Sequence, residues 1–404
     1  MNKIYTFLLL ISVYFIKFII WIFTNTYFKK NSNINKNTIL FLENFPIENS
    51  GYQYRAAKWA NLLQENGYIV DILTTNKHIS QYDFKLMNHK FFLLRNMYIR
   101  FLHCLQARKY SVVIVRRELL LYNDYGNLFM EKFLLKINSN VILDFDDDIS
   151  AAKNEPKKTN SIFGKIMMQN GNKFNESLRL YSMFIVATNY LKEKVLLENK
   201  NIKNSDVIVI PTCVDYNKYT NKTYSNKIIN PIFGWIGGSQ NYKYIDMLLP
   251  IFNKLSNKFS FKLLVIGGEK YIRNTNFEIL FTPWSLDTEI NNLYKIDIGL
   301  MPLIEDKVSK GKGGFKLIQY MGLGIVSIAS AITINEEIVD DGVNSFLASD
   351  SNSWEVILTN ILENKYDIRN AAIKARQKIL DNYTFDSNKK KYIEFINMLL
   401  NNKN

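Results

Sequence analysis

The stretch IFGWIGGSQNYK, residues 232–243, contains a short apolar run, a pair of glycines and the start of an amphipathic segment. Comparable apolar runs recur after it, separated by segments with helical spacing: FKLLVIGG (261–268), FEILFT (277–282), DIGLMPL (297–303) and IVSIAS (325–330). Runs that are apolar on both faces and alternate with helices are typical of a parallel sheet covered on both sides. The pattern therefore predicts a doubly wound α/β domain over residues 231–382.

The first half of the chain shows the same alternation. Its apolar runs predict the strands TILFLEN (38–44), YIVDILTT (68–75), SVVIVRR (111–117), NVILDFDDD (140–148), MFIVAT (183–188) and DVIVIPT (206–212). Between the first two runs, the segment AAKWANLLQENG repeats apolar residues at helical spacing. We predict a second doubly wound domain over residues 37–215 and a polar linker over 216–230. Two such domains facing each other create one cleft, because ligands bind beyond the carboxyl ends of the strands.

Residues 4–23 form an apolar run with few interruptions, among them Thr6 and Lys17. As a helix, this run would match the roughly 30 Å hydrocarbon core of a bilayer. We predict a membrane-associated hydrophobic helix and linker over residues 1–36. The helix either spans the bilayer or lies in its interface with the polar stripe of Thr6, Lys17 and Thr24 toward the headgroups. A buried helix of the soluble fold and, ranked last, a secretory signal peptide are the alternatives.

The charges around this run predict its orientation. Glu43 is the first acidic residue of the chain, whereas the run is followed by three lysines: Lys29, Lys30 and Lys36. The positive-inside rule then places the body of the chain on the cytoplasmic side of the membrane.

The composition excludes several classes of protein. The 404 residues are 47% hydrophobic, and their formal charge of +14 is spread along the chain without a basic stripe. We therefore expect no nucleic-acid partner. Cys104 and Cys213 are isolated, which favours a reducing compartment over a disulfide framework. The three histidines lack the spacing of metal ligands.

The residues that follow the run IFGWIGG suit a phosphate group. Gly237 and Gly238 let the backbone approach a bulky anion, and Lys243 adds a mobile positive charge. The start of the next helix adds backbone N–H groups and the positive end of a helix dipole. Glycine turns after strands are also common without any ligand.

A second glycine-rich loop, GKGGFKLIQYMGLG at residues 311–324, follows the run DIGLMPL. The helix that it enters has a predicted buried stripe formed by Phe315, Ile318 and Met321. Another face of the same helix carries Lys316, Gln319 and Tyr320. A lysine in the first turn opposes the helix dipole, so it requires either solvent or a bound anion.

The run LDFDDD, residues 143–148, ends a predicted strand with the acidic residues Asp144, Asp146, Asp147 and Asp148. Such a cluster can hold Mg²⁺ through oxygen ligands or accept hydrogen bonds from sugar hydroxyls. It can equally be an acidic strand end that caps the next helix.

Together these loops resemble the family 4 glycosyltransferases of the GT-B fold, in particular a subgroup with DxDD in the first half and GKxxFKLxQYM in the second. The resemblance extends from Thr38 to the C-terminus and is strongest over residues 299–347. It implies two facing Rossmann-like domains with an interdomain cleft. It also implies retaining, metal-independent transfer of a sugar from a UDP- or GDP-linked donor, without a cofactor. The acceptor would be a glycan or a lipid-linked molecule, which suits cell-envelope polysaccharide or glycolipid synthesis.

The resemblance further implies roles for individual residues. It assigns the catalytic charge at the departing phosphate to Lys243 and Lys316. The implied donor-binding residues are Gly237, Gly238, Ser239, Trp284, Lys312, Gly313, Gly314 and Gln319. The implied acceptor-binding residues are Gly51, Arg55, Asp146 and Asp147. Residues 383–404 would form a helix that packs back on the first domain.

The sequence departs from the family pattern in both glycine loops. Many members carry two glutamates where this chain has Gly311 and Gln319, and an arginine where it has Ser239. These departures leave open a non-catalytic relative that binds nucleotide sugar or scaffolds a membrane complex. A nicotinamide-dependent oxidoreductase is disfavoured, because FPIENSGYQYR rather than GxGxxG follows TILFLEN.

Overall fold

The computed structural model describes residues 2–25, 37–76, 90–120, 128–150, 171–224 and 227–401. The chain divides into two compact units, which we call unit 1 (Met1–Pro211 and Lys389–Asn404) and unit 2 (Thr212–Asn388). The division falls at Pro211, so the predicted linker 216–230 belongs to unit 2. The predicted N-terminal linker at 26–36 lies outside the described residues, as do His78 and His89.

Within the described residues, unit 1 has six parallel strands: β1 (Thr38–Glu43), β2 (Ile69–Thr74), β3 (Val112–Arg116), β4 (Val141–Phe145), β5 (Met183–Val186) and β6 (Val207–Val209). Their order in the sheet is β2-β1-β3-β4-β5-β6. Strands β3, β4 and β5 are buried along their whole length, whereas the edge strand β2 is partly exposed. This burial is expected of a parallel sheet covered by helices on both faces.

The helices of unit 1 that precede its last strand are α1 (Asn2–Asn25), α2 (Ser50–Tyr52), α3 (Lys58–Glu65), α4 (Lys90–Gln106), α5 (Phe129–Ile137), α6 (Gly171–Leu178) and α7 (Asn189–Glu198). A π-helical turn, Gln53–Ala57, joins α2 to α3. Trp59 and Leu63 are fully buried on α3, at the spacing that the sequence predicts. Thr188 caps α7 by accepting a hydrogen bond from the backbone N–H of Leu191 (3.2 Å).

Helix α1 packs against α4 and α5. Ile20 is buried in the core of unit 1, and the half-buried Ile16 and Phe23 pack against the same core. In the part of the chain that the structure describes, no helix is both long and apolar enough to cross a bilayer. This finding does not support the alternative in which residues 4–23 span the bilayer.

Unit 2 has a second sheet, whose strands among the described residues are β7 (Ile232–Gly237), β8 (Lys262–Gly267), β9 (Glu278–Pro283), β10 (Ile298–Met301), β11 (Val326–Ser330) and β12 (Phe346–Ala348). All are parallel, in the order β12-β11-β10-β7-β8-β9. This is the doubly wound order in which the winding direction reverses between the first and fourth strands. The sequence pattern missed β12, because its run is only three residues long.

The helices of unit 2 are α8 (Tyr242–Asp246), α9 (Leu249–Leu255), α10 (Glu289–Leu293), α11 (Lys307–Lys310), α12 (Phe315–Gly322), α13 (Ile334–Ile338), α14 (Ser351–Leu362) and α15 (Ile368–Asn382). Aspartates at Asp306, Asp350 and Asp367 cap α11, α14 and α15 by accepting a backbone N–H at 2.7, 2.7 and 3.0 Å. Such caps satisfy N–H groups that have no partner inside the helix.

The last helix, α16 (Phe385–Asn401), lies mostly in the C-terminal segment of unit 1. The ring of Tyr392 stacks on that of Trp59 in α3, with centroids 4.0 Å apart and an interplanar angle of 6°. The hydroxyl of Tyr68 donates a hydrogen bond to Asn397 Oδ1 (2.6 Å). The C-terminal residues therefore complete the core of the unit that contains the first strand.

Candidate functional site

The carboxyl ends of β7 and β10 form the edge of unit 2 at which the predicted glycine loops begin. The two strands are neighbours, with Gly234 paired to Gly299, and the winding direction reverses between them. Ligands of open parallel sheets bind beyond the carboxyl ends of the strands at such a reversal point. Residues 238–241 leave β7 there, and residues 302–314 leave β10.

Lys316, in the first turn of α12, reaches the carboxyl end of β7. Its Nζ lies 4.5 Å from the ring centroid of the buried Trp235. An ideal Cβ on Gly237 would overlap the Trp235 ring at 2.5 Å and would lie 3.1 Å from the same Nζ, so a side chain at 237 would crowd both groups. An ammonium group over an indole face is attracted by the ring quadrupole. The half-buried Lys316 is therefore directed toward the backbone of the first glycine loop.

Two further lysines converge on another buried ring. The Nζ atoms of Lys243 and Lys312 each lie 5.2 Å from the ring centroid of Tyr244. The Tyr244 hydroxyl accepts a hydrogen bond from Ser309 Oγ at 3.5 Å, which ties this ring to helix α11. We call Lys243, Lys312 and Lys316 the lysine cluster. All three lie in the segments that follow the carboxyl ends of β7 and β10, and cations at such a sheet edge favour a bound anion.

The glycines of the two loops shape the backbone around these lysines. Gly314 has φ +69°, in the left-handed region that favours glycine, and it stands directly before α12. Gly313 beside it is buried. After β7, the carbonyl of Gly238 accepts a hydrogen bond from the N–H of Asn241 (2.9 Å), which closes a turn over Ser239–Asn241. Both predicted glycine loops thus end in the first turn of a helical segment.

The predicted buried stripe of α12 is confirmed at Ile318 and Met321, but the other face of the helix is buried as well. Phe315 and Lys316 are half-buried, whereas every later residue of the helix is buried, including Gln319 and Tyr320. The helix packs on strands β10 and β11 and also on α15, so little of its surface beyond the first turn is exposed. The Tyr320 hydroxyl accepts a hydrogen bond from the backbone N–H of Ile236 (3.0 Å), which fixes α12 to β7.

Gln319 forms a hydrogen bond with the carboxylate of Glu289, a residue that the sequence analysis did not identify. Its Nε2 donates a hydrogen bond to Glu289 Oε1 (2.8 Å) and a longer one to the Tyr219 hydroxyl (3.5 Å). The indole Nε1 of Trp284 donates to the other carboxylate oxygen of Glu289 (2.6 Å). Glu289 is only 3% exposed, and these donors compensate the cost of burying its charge. The sequence shows Glu289 only as an acidic residue at a helix start, a position that normally indicates capping.

In unit 1, Arg55 lies in the interior. It is 1% exposed, and its Nε donates to Asp144 Oδ1 (3.1 Å) while its Nη1 donates to the carbonyl of Ile210 (2.7 Å). Burial raises the pKa of Asp144 above its ordinary value, against the lowering effect of Arg55 and Arg116. This environment does not support the implied acceptor-binding role of Arg55, because its guanidinium group is engaged by Asp144 and Ile210 in the interior.

The carboxyl ends of β1, β3 and β4 meet at Arg116. Its guanidinium pairs with Glu43 (3.3 Å) and with Asp146 (3.4 Å). Gly51 packs directly on this group, and a Cβ at 51 would overlap the guanidinium. Burial favours the neutral form of Asp146, but Arg116, Arg117 and Arg55 outweigh it and lower its pKa. Gly51 and Asp146 are thus brought together around one buried arginine.

The remaining acids of LDFDDD have separate surroundings. Asp148 pairs with Lys194 (2.8 Å) and accepts hydrogen bonds from the N–H and hydroxyl of Ser150 (3.0 and 2.6 Å). Asp147 is half-buried. Among the described residues, no group of three or more His, Cys, Asp or Glu side chains is placed to hold a metal ion. The contacts at Asp144, Asp146 and Asp148 are ion pairs with different cations.

Solved glycosyltransferase structures share this architecture. A crystal structure of a glycosyltransferase from Rickettsia africae ESF-5 matches with a TM-score of 0.62 at 18% identity, over 91% of this chain and 100% of that one. The chain has the GT-B fold. A sucrose-phosphate synthase (tll1590) from Thermosynechococcus elongatus matches with a TM-score of 0.64 at 12% identity, over 90% and 99% of the two chains. Anabaena Alr3699/HepE in complex with UDP and glucose matches with a TM-score of 0.59 at 12% identity, over 89% and 99%.

Comparison of the sequence with known protein families gives a match to part of one unit only. Residues 230–364, within unit 2, match the family model described as Glycosyl transferases group 1. No curated protein matches the chain. The matched range contains the whole lysine cluster, both glycine loops and the buried Glu289–Gln319 pair.

Proposed function

We propose that this GT-B chain is a glycosyltransferase that moves a sugar from a nucleotide-sugar donor to an acceptor, with retention of the anomeric configuration. The observation that carries the proposal is the lysine cluster at the carboxyl ends of β7 and β10. Lys316 lies near the first glycine loop, over the ring of Trp235. The Nζ atoms of Lys243 and Lys312 both lie near the ring of Tyr244. This is the ligand edge of a doubly wound sheet, and it carries the charge that a diphosphate requires.

The chemistry of the transfer explains why cations matter there. Cleavage of the bond between sugar and nucleotide leaves negative charge on the β-phosphate, and preorganised positive groups stabilise that charge as it develops. We assign this role to Lys243 and Lys316, supported by the N–H groups of Gly237, Gly238 and Ser239. Lys312, Gly313 and Gly314 hold the rest of the diphosphate or the donor sugar. The leaving phosphate takes the acceptor's proton on the same face, so the step needs neither a carboxylate nucleophile nor a metal ion.

The nucleoside end of the donor is assigned to Trp284 and Gln319. A carboxylate can only accept hydrogen bonds, so the Gln319 group that faces Glu289 is the NH₂. The amide oxygen is then the atom that Gln319 offers to a ribose hydroxyl. Trp284 is half-buried, with its indole N–H held by Glu289, so the remainder of its ring is available to border the base or ribose.

Unit 1 is proposed to bind the acceptor, a glycan or a lipid-linked molecule. Asp147 and the partly exposed Asp146 are the acidic groups that can accept hydrogen bonds from sugar hydroxyls at this sheet end. Asp147→Asn tests the assignment, because it keeps the size of the side chain and removes its charge. We expect a higher KM for the acceptor with an unchanged KM for the donor. An unchanged acceptor KM would remove Asp147 from the site.

The donor is tested by the thermal stability of the purified chain with a panel of UDP-, GDP- and CMP-sugars. A ligand that binds only the folded state raises the melting temperature by mass action. With the donor identified, Lys243→Ala and Lys316→Ala should each lower turnover about a hundredfold, as the loss of one transition-state donor does elsewhere. Lys374→Ala, at an exposed lysine of α15, is the matched control. Near-normal transfer in both cluster variants would refute the assignment.

A non-catalytic protein that binds nucleotide sugar or scaffolds a membrane complex is the second candidate. The observation that favours it is the presence of Gly311 and Gln319 where many relatives carry glutamates. It predicts a rise in melting temperature with a nucleotide sugar but neither sugar transfer nor donor hydrolysis. Detection of either reaction, lost in Lys316→Ala, would exclude it.

The setting that we propose is synthesis of a cell-envelope polysaccharide or glycolipid, with both units on the cytoplasmic side of a membrane. It rests on the apolar residues of α1 and on the lysines that follow them in the sequence. Transfer to an endogenous acceptor in a membrane fraction, but not in a soluble fraction, would support it.

A further inference from the structure

Helix α1 exposes a continuous row of large apolar side chains. Tyr14, Phe15, Phe18 and Trp21 are 58, 60, 55 and 61% exposed, and Ile11 and Ile22 extend the row at 48 and 40%. We call these six residues the aromatic face of α1. Their spacing of three, four and seven residues places them along one side of the helix. The rings of Phe18 and Trp21 stack on each other with centroids 6.0 Å apart.

The opposite side of α1 packs on the core of unit 1, and the aromatic face is exposed. Ile20 is buried, and the ring of Phe23 meets that of Phe101 edge-on, with centroids 5.5 Å apart. Lys17 sits at the boundary, with its Nζ 5.0 Å from the ring centroid of Phe129 on helix α5. The polar stripe predicted to face lipid headgroups therefore has Lys17 directed toward the protein. Helix α1 thus has one apolar side that packs on the core of unit 1 and a second apolar side, the aromatic face, that is exposed.

We propose that the aromatic face inserts into the interfacial region of an anionic bilayer, with α1 lying in the membrane plane. Tyr and Trp combine an apolar ring with a polar tip and concentrate where a bilayer meets water. The charge around the helix also suits an anionic bilayer. Helix α1 has no acidic residue, and the chain has a formal charge of +14. Lys132 and Lys136 are exposed on α5, against which α1 packs. Apolar insertion and attraction to anionic lipids act together in interfacial helices.

Flotation with lipid vesicles tests the proposal on the full chain. We expect binding to phosphatidylcholine vesicles that contain phosphatidylglycerol, and weaker binding to phosphatidylcholine alone or at high salt. Phe18→Ser/Trp21→Ser should lower the partition coefficient by about tenfold or more, because two large apolar side chains no longer insert. The matched control, Leu197→Ser/Ile373→Ser, changes two residues that are also exposed but lie outside α1, and it should bind normally.

Two further experiments measure how deeply α1 inserts into the bilayer and whether it lies in the membrane plane. Brominated lipids should quench part of the tryptophan fluorescence in the native chain, and Trp21→Phe should abolish that quenching while flotation persists. Alkaline carbonate should release the bound chain, as expected of an in-plane helix. Resistance to carbonate would indicate a spanning helix and overturn the proposal.

Two further outcomes would also overturn it. Equal flotation of the Phe18→Ser/Trp21→Ser variant and the native chain would place the membrane contact elsewhere. A dimer in sedimentation analysis that this variant abolishes, with no vesicle binding by the native chain, would assign the aromatic face to a second copy. A melting temperature equal to that of the native chain shows that the variant is folded. None of these measurements depends on the transferase activity, so they remain informative if the proposed function fails.

Discussion

Replacing Gln319 by Glu would place a second carboxylate against Glu289 in the interior of unit 2. In the native chain, Gln319 Nε2 lies 2.8 Å from Glu289 Oε1, and each side chain is 3% exposed. Two negative charges at that separation repel by about 6 kcal/mol at an effective dielectric constant of about 20. The pair can avoid this repulsion by keeping one proton. Holding that proton at pH 7 on a carboxyl group of ordinary pKa, about 4.3, costs about 4 kcal/mol. We therefore expect Gln319→Glu to destabilise unit 2 by up to about 4 kcal/mol at pH 7.

We expect the destabilisation caused by Gln319→Glu to increase as the pH rises. The carboxyl group introduced by Gln319→Glu has a folded-state pKa above its unfolded value. This carboxyl group therefore leaves the free energy of unfolding unchanged below its unfolded-state pKa and lowers it as the pH rises above that value. Thermal unfolding of the native chain and the variant at pH 5 and pH 7 measures this. The deficit should be small at pH 5 and reach about 10 °C at pH 7 for a unit of this size.

The matched control exchanges the two groups. Glu289→Gln/Gln319→Glu restores one carboxylate and one amide, so it should recover most of the lost stability and remove the added pH dependence. A Gln319→Glu variant as stable as the native chain at pH 7 would refute the reasoning. So would an exchanged variant no more stable than the single one.

Three further changes test unit 1. Tyr392→Leu removes the ring stacked on Trp59 and should cost about 2–4 kcal/mol, seen as a lower melting temperature and as faster proteolysis after residue 388. Gly51→Ala forces the Arg116 guanidinium to move and should cost about 1–3 kcal/mol in denaturant unfolding. The pKa of Asp146 is lowered by Arg116 against the effect of burial, so this pair stabilises unit 1 above about pH 4 and loses its effect as the pH falls. Asp146→Asn should therefore flatten the acid side of the stability curve, and an unchanged slope would contradict the pairing.

The strands could be predicted because a buried parallel strand leaves a local signature. The runs at 111–117 and 140–148 contain β3 and β4, all of whose residues are buried. The signature needs several successive apolar residues, which the three-residue strand β12 does not supply. The glycine loops were also recognisable, since a glycine turn between a strand and a helix is formed by residues next to one another in the sequence.

Contacts between distant residues could not be predicted in the same way. Gln319 and Glu289 are separated by 30 positions, and only the folding of unit 2 brings their side chains together. The burial of Arg55 likewise depends on a long-range contact, because its partner Asp144 is 89 positions away. Burial of every residue of α12 after Lys316 likewise depends on neighbouring elements that the periodicity of the helix does not show.

The place of helix α16 also has a consequence for how the chain is made. The face of α3 that carries Trp59 is covered by Tyr392, which a ribosome adds more than 300 residues later. Even after residue 211 has been added, synthesis at about 5–20 residues per second leaves roughly 10–40 seconds before residue 392 is reached. Throughout that interval a nascent chain presents an uncovered indole surface, which is the kind of site that holding chaperones bind. Slow codons between positions 212 and 388 should therefore increase aggregation of newly made protein, while the stability of the finished molecule stays the same.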